Sequence, residues 1–400
     1  MAVDDKGMRA EILRELTENI LPFWQGRMRD PKGGFFGAAD CDGIVDKGAP
    51  RASVVNARIL WTFATATRVL GANYRATADW AFEYLRTRFV DGEHGGVYWL
   101  LDAEGRPLSD RKQIYAQAFA IYAFAEYARA TGNRDSLGLA IDLFRLIEKH
   151  AADGRSGGYI EALDRVWQPL DDMRLSTKDL NSPKSMNTHL HIMEAYTNLL
   201  RIWRDPSLVA RQAELIAVTL DRIVDGGHFK LFFDMDWRSL NDHISYGHDI
   251  EGSWLLVEAA EVLGDPALIA RARQAAILMA NRTLIEGRDR DGSLHYEAHG
   301  DGQLIDAHKH WWPQAEALVG FQNAFEMTGN LAFRDAVRDV WAFIRDKVAD
   351  REHGEWHAKL TPDGRPTTAA EDADACLAGP WKCPYHNGRA CFEMLERLEK

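Results

Sequence analysis

A histidine and a carboxylate stand three residues apart in SYGHDIEGSW, at His248 and Glu251, where a glycine-containing segment enters an apolar, helix-patterned run. Three residues apart on a helix is one face. An imidazole beside a carboxylate at the start of a buried helix suits proton transfer near neutral pH, although a capped helix start with a satisfied histidine has the same spelling. Five further segments begin alike. NARILW carries Asn56 and Arg58, and Tyr115 and Gln117 open the next. NTHLH holds Asn187 and His191 four apart, KHWWPQAE holds Trp312 and Glu316 four apart, and WKCPYHNGR holds Trp381, His386 and Arg389. Core packing alone does not select such residues, because each buried polar group needs a partner or costs stability. His189 is two residues from His191, so it faces elsewhere and reads as a core histidine.

Two imidazoles facing each other across a pocket can take a proton from one face of a carbon and return it to the other, which is epimerisation. The C–H must be acidified by a neighbouring carbonyl, as in the open chain of an aldose, and a cation must hold the enediolate oxygens that form. Arg58 suits that post, with a permanent charge and forked donors. A free imidazole titrates near ~6.5, close to working pH. Indoles offer flat apolar faces to the C–H side of a sugar ring. The 13 tryptophans are more than a core requires.

The elements that hold these residues repeat. A glycine followed by short alternating apolar residues recurs at Gly34, Gly96, Gly158, Gly227, Gly292 and Gly354, each 62 to 69 residues from the last. Alternation after glycine predicts a short strand or hairpin. Each is followed by an apolar helix pattern, over 56–70, 115–131, 187–203, 249–263, 312–327 and 386–398, and then by a charged one, over 74–88, 134–150, 208–223, 266–281 and 331–348. The amphipathic segment 8–24 completes the second set. Helix pairs that bury one face only when neighbours cover it can close into a ring. The expectation is all-α: an (α/α)6 barrel with short β-hairpins between helices, the apolar helices inside and their polar starts at one mouth. No Pro-, Gly- or Ser-rich linker divides the chain, so residues 1–400 read as a single domain.

Composition narrows the partners. A net charge of −12 without a basic block argues against nucleic acid and anionic membranes, and favours a neutral small molecule. Charge throughout the first 20 residues leaves no signal-peptide core, and the longest apolar run, 118–125, is too short to span a membrane. Four cysteines make no disulfide framework and point to the cytoplasm. Cys383, His386 and Cys391 match zinc spacings poorly, so neither metal nor cofactor is expected.

NTHLHIMEAYTNLLRIW, SYGHDIEGSWLL, KHWWPQAEALVGF and WKCPYHNGRA, in that order, closely resemble the cellobiose 2-epimerases of the N-acylglucosamine 2-epimerase superfamily, and the likeness runs along essentially the whole chain. The resemblance implies metal- and nucleotide-independent epimerisation at C2 of a reducing-end glucose, through ring opening and a cis-enediolate. It implies that His248 and His386 are the acid/base pair, that His191 assists ring opening, and that Arg58 anchors the enediolate. Tyr115, Asn187, Glu251, Trp312, Glu316 and Trp381 become sugar contacts. Relatives often carry an acid where this chain has His310, and residues 358–379 contain no aromatic platform for a second sugar.

Other readings share the pocket. A monosaccharide mannose/glucose 2-epimerase or a mannose–fructose isomerase uses the same enediolate. An inverting glycoside hydrolase needs two carboxyl groups roughly 6.5 to 9.5 Å apart, for which Glu251 and Glu316 are the available pair. A non-catalytic carbohydrate-binding protein needs the aromatic walls but not the histidines. Monomer and homodimer stay equally open.

Overall fold

Each unit folds the same way because each carries the same signals in the same order. The computed structural model describes residues 5–372 and 374–399, so residues 1–4, 373 and 400 of the expected domain lie outside the described residues. The apolar patterns form the inner helices α2 (Ser53–Leu70), α4 (Ile114–Thr131), α6 (Met186–Leu200), α8 (Tyr246–Leu263), α10 (Trp311–Thr328) and α12 (Tyr385–Arg397). The charged patterns form the outer helices α1 (Asp5–Arg14), α3 (Arg75–Tyr84), α5 (Arg134–His150), α7 (Pro206–Val218), α9 (Pro266–Arg282) and α11 (Leu331–Phe343). Each inner helix packs on the next, and α12 returns to α2, which closes the (α/α)6 ring.

Sequence sorts the two layers. In α4 every residue from Ile114 to Ala128 is buried, as a helix apolar on all sides demands. In α5 only Ser136, Ala140, Leu143, Phe144 and Ile147 are buried, one stripe at helical spacing. Outer helices start on capping side chains: Asn133, Asp205, Asp265 and Asn330 each accept a backbone N–H of the first turn. Wide i→i+5 turns at 85–89, 219–223, 283–287 and 344–348 carry α3, α7, α9 and α11 on to the glycine signals.

The expected hairpins are present but shorter than the alternation suggested. A residue past the outer helix bridges one just past the glycine turn: Arg29 to Phe35, Val90 to Val97, Ala152 to Tyr159, Arg288 to Leu294 and Ala349 to Trp356. Two-residue strands before the inner helices then pair with the next unit, Arg51 to Leu101, Lys112 to Leu163, Ser185 to Phe232, Ile244 to Ala298 and Lys309 to Leu360. Ala39 pairs with Ala378, so this belt closes too.

A buried ion pair locks each belt corner but one. The cation just before the inner helix meets the carboxylate at the glycine turn: Arg51 with Asp30, Lys112 with Asp91 (2.9 Å), Lys184 with Asp153 (2.7 Å), Lys309 with Asp289 (2.5 Å) and Lys382 with Glu355 (2.5 Å). The fourth residue of the inner helix adds a latch to the chain just past the glycine turn. Gln117 bonds both the N–H and the carbonyl of Val97, Gln314 does so with Leu294, His189 Nε2 accepts from Tyr159 N (2.9 Å), and Asp249 accepts from Phe229 N (2.7 Å). His189 is therefore the core histidine expected, with Nδ1 donating to the Ser185 carbonyl at 2.6 Å.

Gly158 needs its glycine twice over. Its φ is +75°, and a Cβ would lie 2.5 Å from both His189 Nε2 and the Trp237 ring. Gly132 at the end of α4 has a similar φ of +72° but open space around it. Gly132→Ala is expected to cost about 1–2 kcal/mol, the left-handed penalty alone, whereas Gly158→Ala costs at least ~3 kcal/mol once the clash is added; urea denaturation of the two variants measures the difference.

Candidate active site

The ring sets side chains in layers. Five residues beyond its first, each inner helix contributes one: Arg58, Phe119, His191, Glu251 and Glu316, with Arg389 at the same step from the Pro384 cap of α12. One turn nearer the mouth come Tyr115, Asn187, His248, Trp312 and His386. The helical repeat thereby converts six similar sequences into two stacked polar rings.

Arg389 is the centre of the deeper ring. Its guanidinium reaches Glu251 (2.5 Å), Glu316 (2.7 Å) and Glu194, all four residues essentially without solvent. Tyr385 also donates to Glu194. Burial pushes carboxyl groups up, but Arg389, His191 and Tyr385 together hold Glu194 down at about 2. Glu251 has fewer partners; burial and then the neighbouring Glu316 raise it to about 7, and its Oε2 has no partner among the described residues. Glu316 is also raised by burial, with Arg389 opposing.

Carboxylates fix two imidazoles. His386 Nδ1 donates to Glu316 at 2.7 Å, and Glu316 is itself held by Trp254 Nε1 at 3.1 Å. His191 Nδ1 donates to Glu194 at 2.9 Å. A carboxylate only accepts, so both rings carry hydrogen on Nδ1 and present a bare Nε2. His248 differs: its Nδ1 lies 2.8 Å from the Ser245 hydroxyl. Nε2 of all three histidines has no partner among the described residues. Burial lowers His248 to about 3, and lowers His386 well below the free value, with Arg58 and Arg389 adding to the effect.

Aromatic rings line the rest. Trp312 lies 4.7 Å from His248 and 5.5 Å from His386, centroid to centroid. Arg58 donates to Tyr115 at 2.8 Å and sits between the rings of Phe119 and Tyr385, 4.2 and 4.7 Å away. Its Nε and the Asn187 Oδ1 are buried without partners, which leaves both free to bind a ligand. Trp381 is partly exposed at the mouth, 6.1 Å from Tyr115 and 6.1 Å from Trp99.

The ten residues that the resemblance implies for the site gather at the starts of the inner helices, whereas Gln117 latches the belt and Asn56 donates to the Ala52 carbonyl at 2.9 Å. Glu251 does not serve His248, three residues away; its carboxylate turns to Arg389 and lies 3.8 Å from His386. Glu251 and Glu316 are both fully buried and bonded to Arg389. Their oxygens come within 4.8 Å of each other and of His386, with Arg389 bonded to both, too close and too neutralised for an acid and base flanking a bond. That separation removes the hydrolase reading. The same Arg389 holds the position a cation would take among these ligating atoms. His310 stacks on Tyr296 at 3.9 Å and bonds Asp306 at 3.1 Å.

Sequence reasoning missed Glu194, Trp254, Tyr385, Ser245 and Glu355. Glu194 was findable, three residues after His191 as Arg389 is after His386. Glu355 stands at the position of Gly34, Gly96 and Gly158 in the first three units, keeps a left-handed φ of 72°, and binds Lys382, Asn387 and Trp24.

A model of the N-acylglucosamine 2-epimerase (GlcNAc 2-epimerase) family matches residues 34–377. The cellobiose 2-epimerase of Bacteroides fragilis is 46% identical over 395 residues, 98% of this chain and 99% of that one. That of Ruminococcus albus is 38% identical over 394 residues, with 98% and 99% covered. The solved structure of cellobiose 2-epimerase from Bacillus thermoamylovorans B4167 superposes with a TM-score of 0.92 at 39% identity, covering 98% of this chain and 100% of that one. With its barrel, its paired histidines and this full-length likeness, the chain belongs to the cellobiose 2-epimerase family within the N-acylglucosamine 2-epimerase superfamily.

Proposed function

We propose that this enzyme is a carbohydrate 2-epimerase that inverts C2 of the reducing-end glucose of cellobiose or a related β-1,4 disaccharide. One observation carries the reading: His248 and His386 come from different helices to lie against the same indole, Trp312, each with Nε2 unpartnered among the described residues. The sugar lies on the Trp312 face. His191, with a bare Nε2, assists ring opening. One of the paired histidines takes the C2 proton, the C–H electrons form the C1–C2 double bond, and the carbonyl oxygen becomes an oxyanion beside Arg58. The other, charged by a solvent proton on Nε2 once the enediolate is present, gives that proton to the opposite face of C2 as the carbonyl re-forms, and the first base returns its own proton to solvent. Tyr115 and Asn187 hold hydroxyl groups, while Glu251 and Glu316 act through Arg389 and His386.

The second sugar has a platform despite the lack of aromatics in residues 358–379. Trp99 and Trp381 together offer an aromatic surface at the mouth, which favours the disaccharide over mannose or glucose alone. The chain works as one catalytic domain without cofactor, as a monomer or homodimer. Its four cysteines are unpaired, which suits the reducing cytoplasm. Among the described residues no helix is long and apolar enough to cross a membrane.

Burial favours the neutral form of both bases, and the negative charge of the enediolate is what restores their affinity for a proton. The same burial has a cost in acid. His248 has its folded pKa depressed below the unfolded ~6.5, so below that pH the unfolded chain binds the extra proton and folding stability falls as pH drops towards about 3. His248→Asn removes up to about 1.4 kcal/mol per pH unit of that slope, measurable in urea melts between pH 6.5 and 4.

Incubation of the enzyme with cellobiose is expected to yield 4-O-β-glucosyl-mannose, identified chromatographically, with mannose and glucose turned over far more slowly. His248→Ala and His386→Ala each lower that rate by about 10²- to 10⁴-fold while the melting curve stays cooperative; full turnover by either would refute the two-base assignment. Trp312→Ala raises KM as well as lowering kcat, because the indole supports sugar in ground and transition states alike.

A further inference from the structure

The start of α8 forgoes a hydrogen bond that its sequence could make. Ser245 occupies the cap position in extended conformation, and serine there ordinarily turns its hydroxyl to a backbone N–H of the first turn. Ser185 occupies the same position before α6 and does this, accepting from Thr188 N at 3.2 Å. Both serines end two-residue strands paired to the following unit, so their backbones serve the belt alike. Ser245 nevertheless caps nothing. Its fully buried hydroxyl lies 2.8 Å from His248 Nδ1, and it has no other partner among the described residues. The two units differ at the third residue of the helix, which is Thr188 in α6 and His248 in α8.

We propose that Ser245 is the positioning residue of His248, released from capping so that its hydroxyl holds Nδ1 and turns Nε2 to the sugar. The inference rests on the epimerase reading above. A hydroxyl both donates and accepts. When neutral His248 carries its hydrogen on Nδ1, Ser245 accepts it and Nε2 is free to take the C2 proton; the imidazolium that results keeps the same Nδ1–H to Oγ bond, so the ring need not move between states. When the hydrogen sits on Nε2, the hydroxyl rotates and donates to Nδ1. Glu316 grants His386 no such freedom, since a carboxylate accepts only. One base is thus locked in a single tautomer and the other adjusts, a difference between partners that do opposite work on the two epimers.

The test compares Ser245→Ala with Ser185→Ala in the full chain, using cellobiose as substrate and following melting temperature alongside kcat and KM. Ser245→Ala is expected to lower kcat about tenfold, the worth of one hydrogen bond at the transition state, with KM changed by less than about twofold. Ser185→Ala is expected to do the reverse, keeping kcat and melting at lower temperature than Ser245→Ala. Spectra of protein labelled with 15N at histidine give a readout independent of turnover: the His248 ring nitrogens, assigned with His248→Ala, shift in Ser245→Ala and stay put in Ser185→Ala. Wild-type kcat in Ser245→Ala, or an unshifted His248 ring, overturns the proposal. A wild-type enzyme inactive on cellobiose overturns the epimerase reading instead, and the nitrogen spectra still decide whether Ser245 sets the ring.

Discussion

A single buried guanidinium holds the site together. Among the described residues, Arg389 is the one cation bonded to three carboxylates that come from three helices, and each of them has a second task. Glu194 orients His191, Glu316 orients His386, and Glu251 closes the ring between them. Removing one partner from such a cluster leaves an uncompensated buried charge, which is far costlier than losing an exposed pair. Burial, and then the neighbouring Glu316, push the Glu251 carboxyl up to about 7 even with the guanidinium beside it.

That hub depends on register. Arg58, His191, Glu251, Glu316 and Arg389 meet because six helices start at the same height, and they start there because the belt of short strands and ion pairs fixes each lead-in. Repetition supplies the scaffold and departures from it supply the chemistry. The fourth residue of an inner helix latches the belt whether it is Gln117, His189, Asp249 or Gln314, so a histidine there is structural. Two residues further on, a histidine faces the cavity.

What the sequence made legible follows from this. The glycine signals and the polar helix starts are local patterns, so the barrel, its two layers and the converging residues could be read from spacing. His189 and His191 were separable because two residues turn a helix by about 200°, just past half a turn. Partners were not legible where they lie far along the chain. Arg389 meets Glu194 across 195 residues and Glu251 across 138, and no spacing rule spans that distance. Assigning Glu251 to His248 by their three-residue interval failed for this reason: a nearer helix face was available, but a buried guanidinium bound the carboxylate more strongly. Ser245 was hidden differently, since a serine before a helix reads as a cap.

The central claim is that two histidines move a proton off and onto C2 of one sugar. Proton NMR of cellobiose with the enzyme in D2O tests it most directly, following the C2–H signal of the reducing-end ring and the product formed. The account predicts that the mannose-configured product carries deuterium at C2, with the non-reducing ring untouched and no ketose among the early products. Product that forms with its C2 hydrogen fully retained, or deuterium appearing at C1, would contradict it.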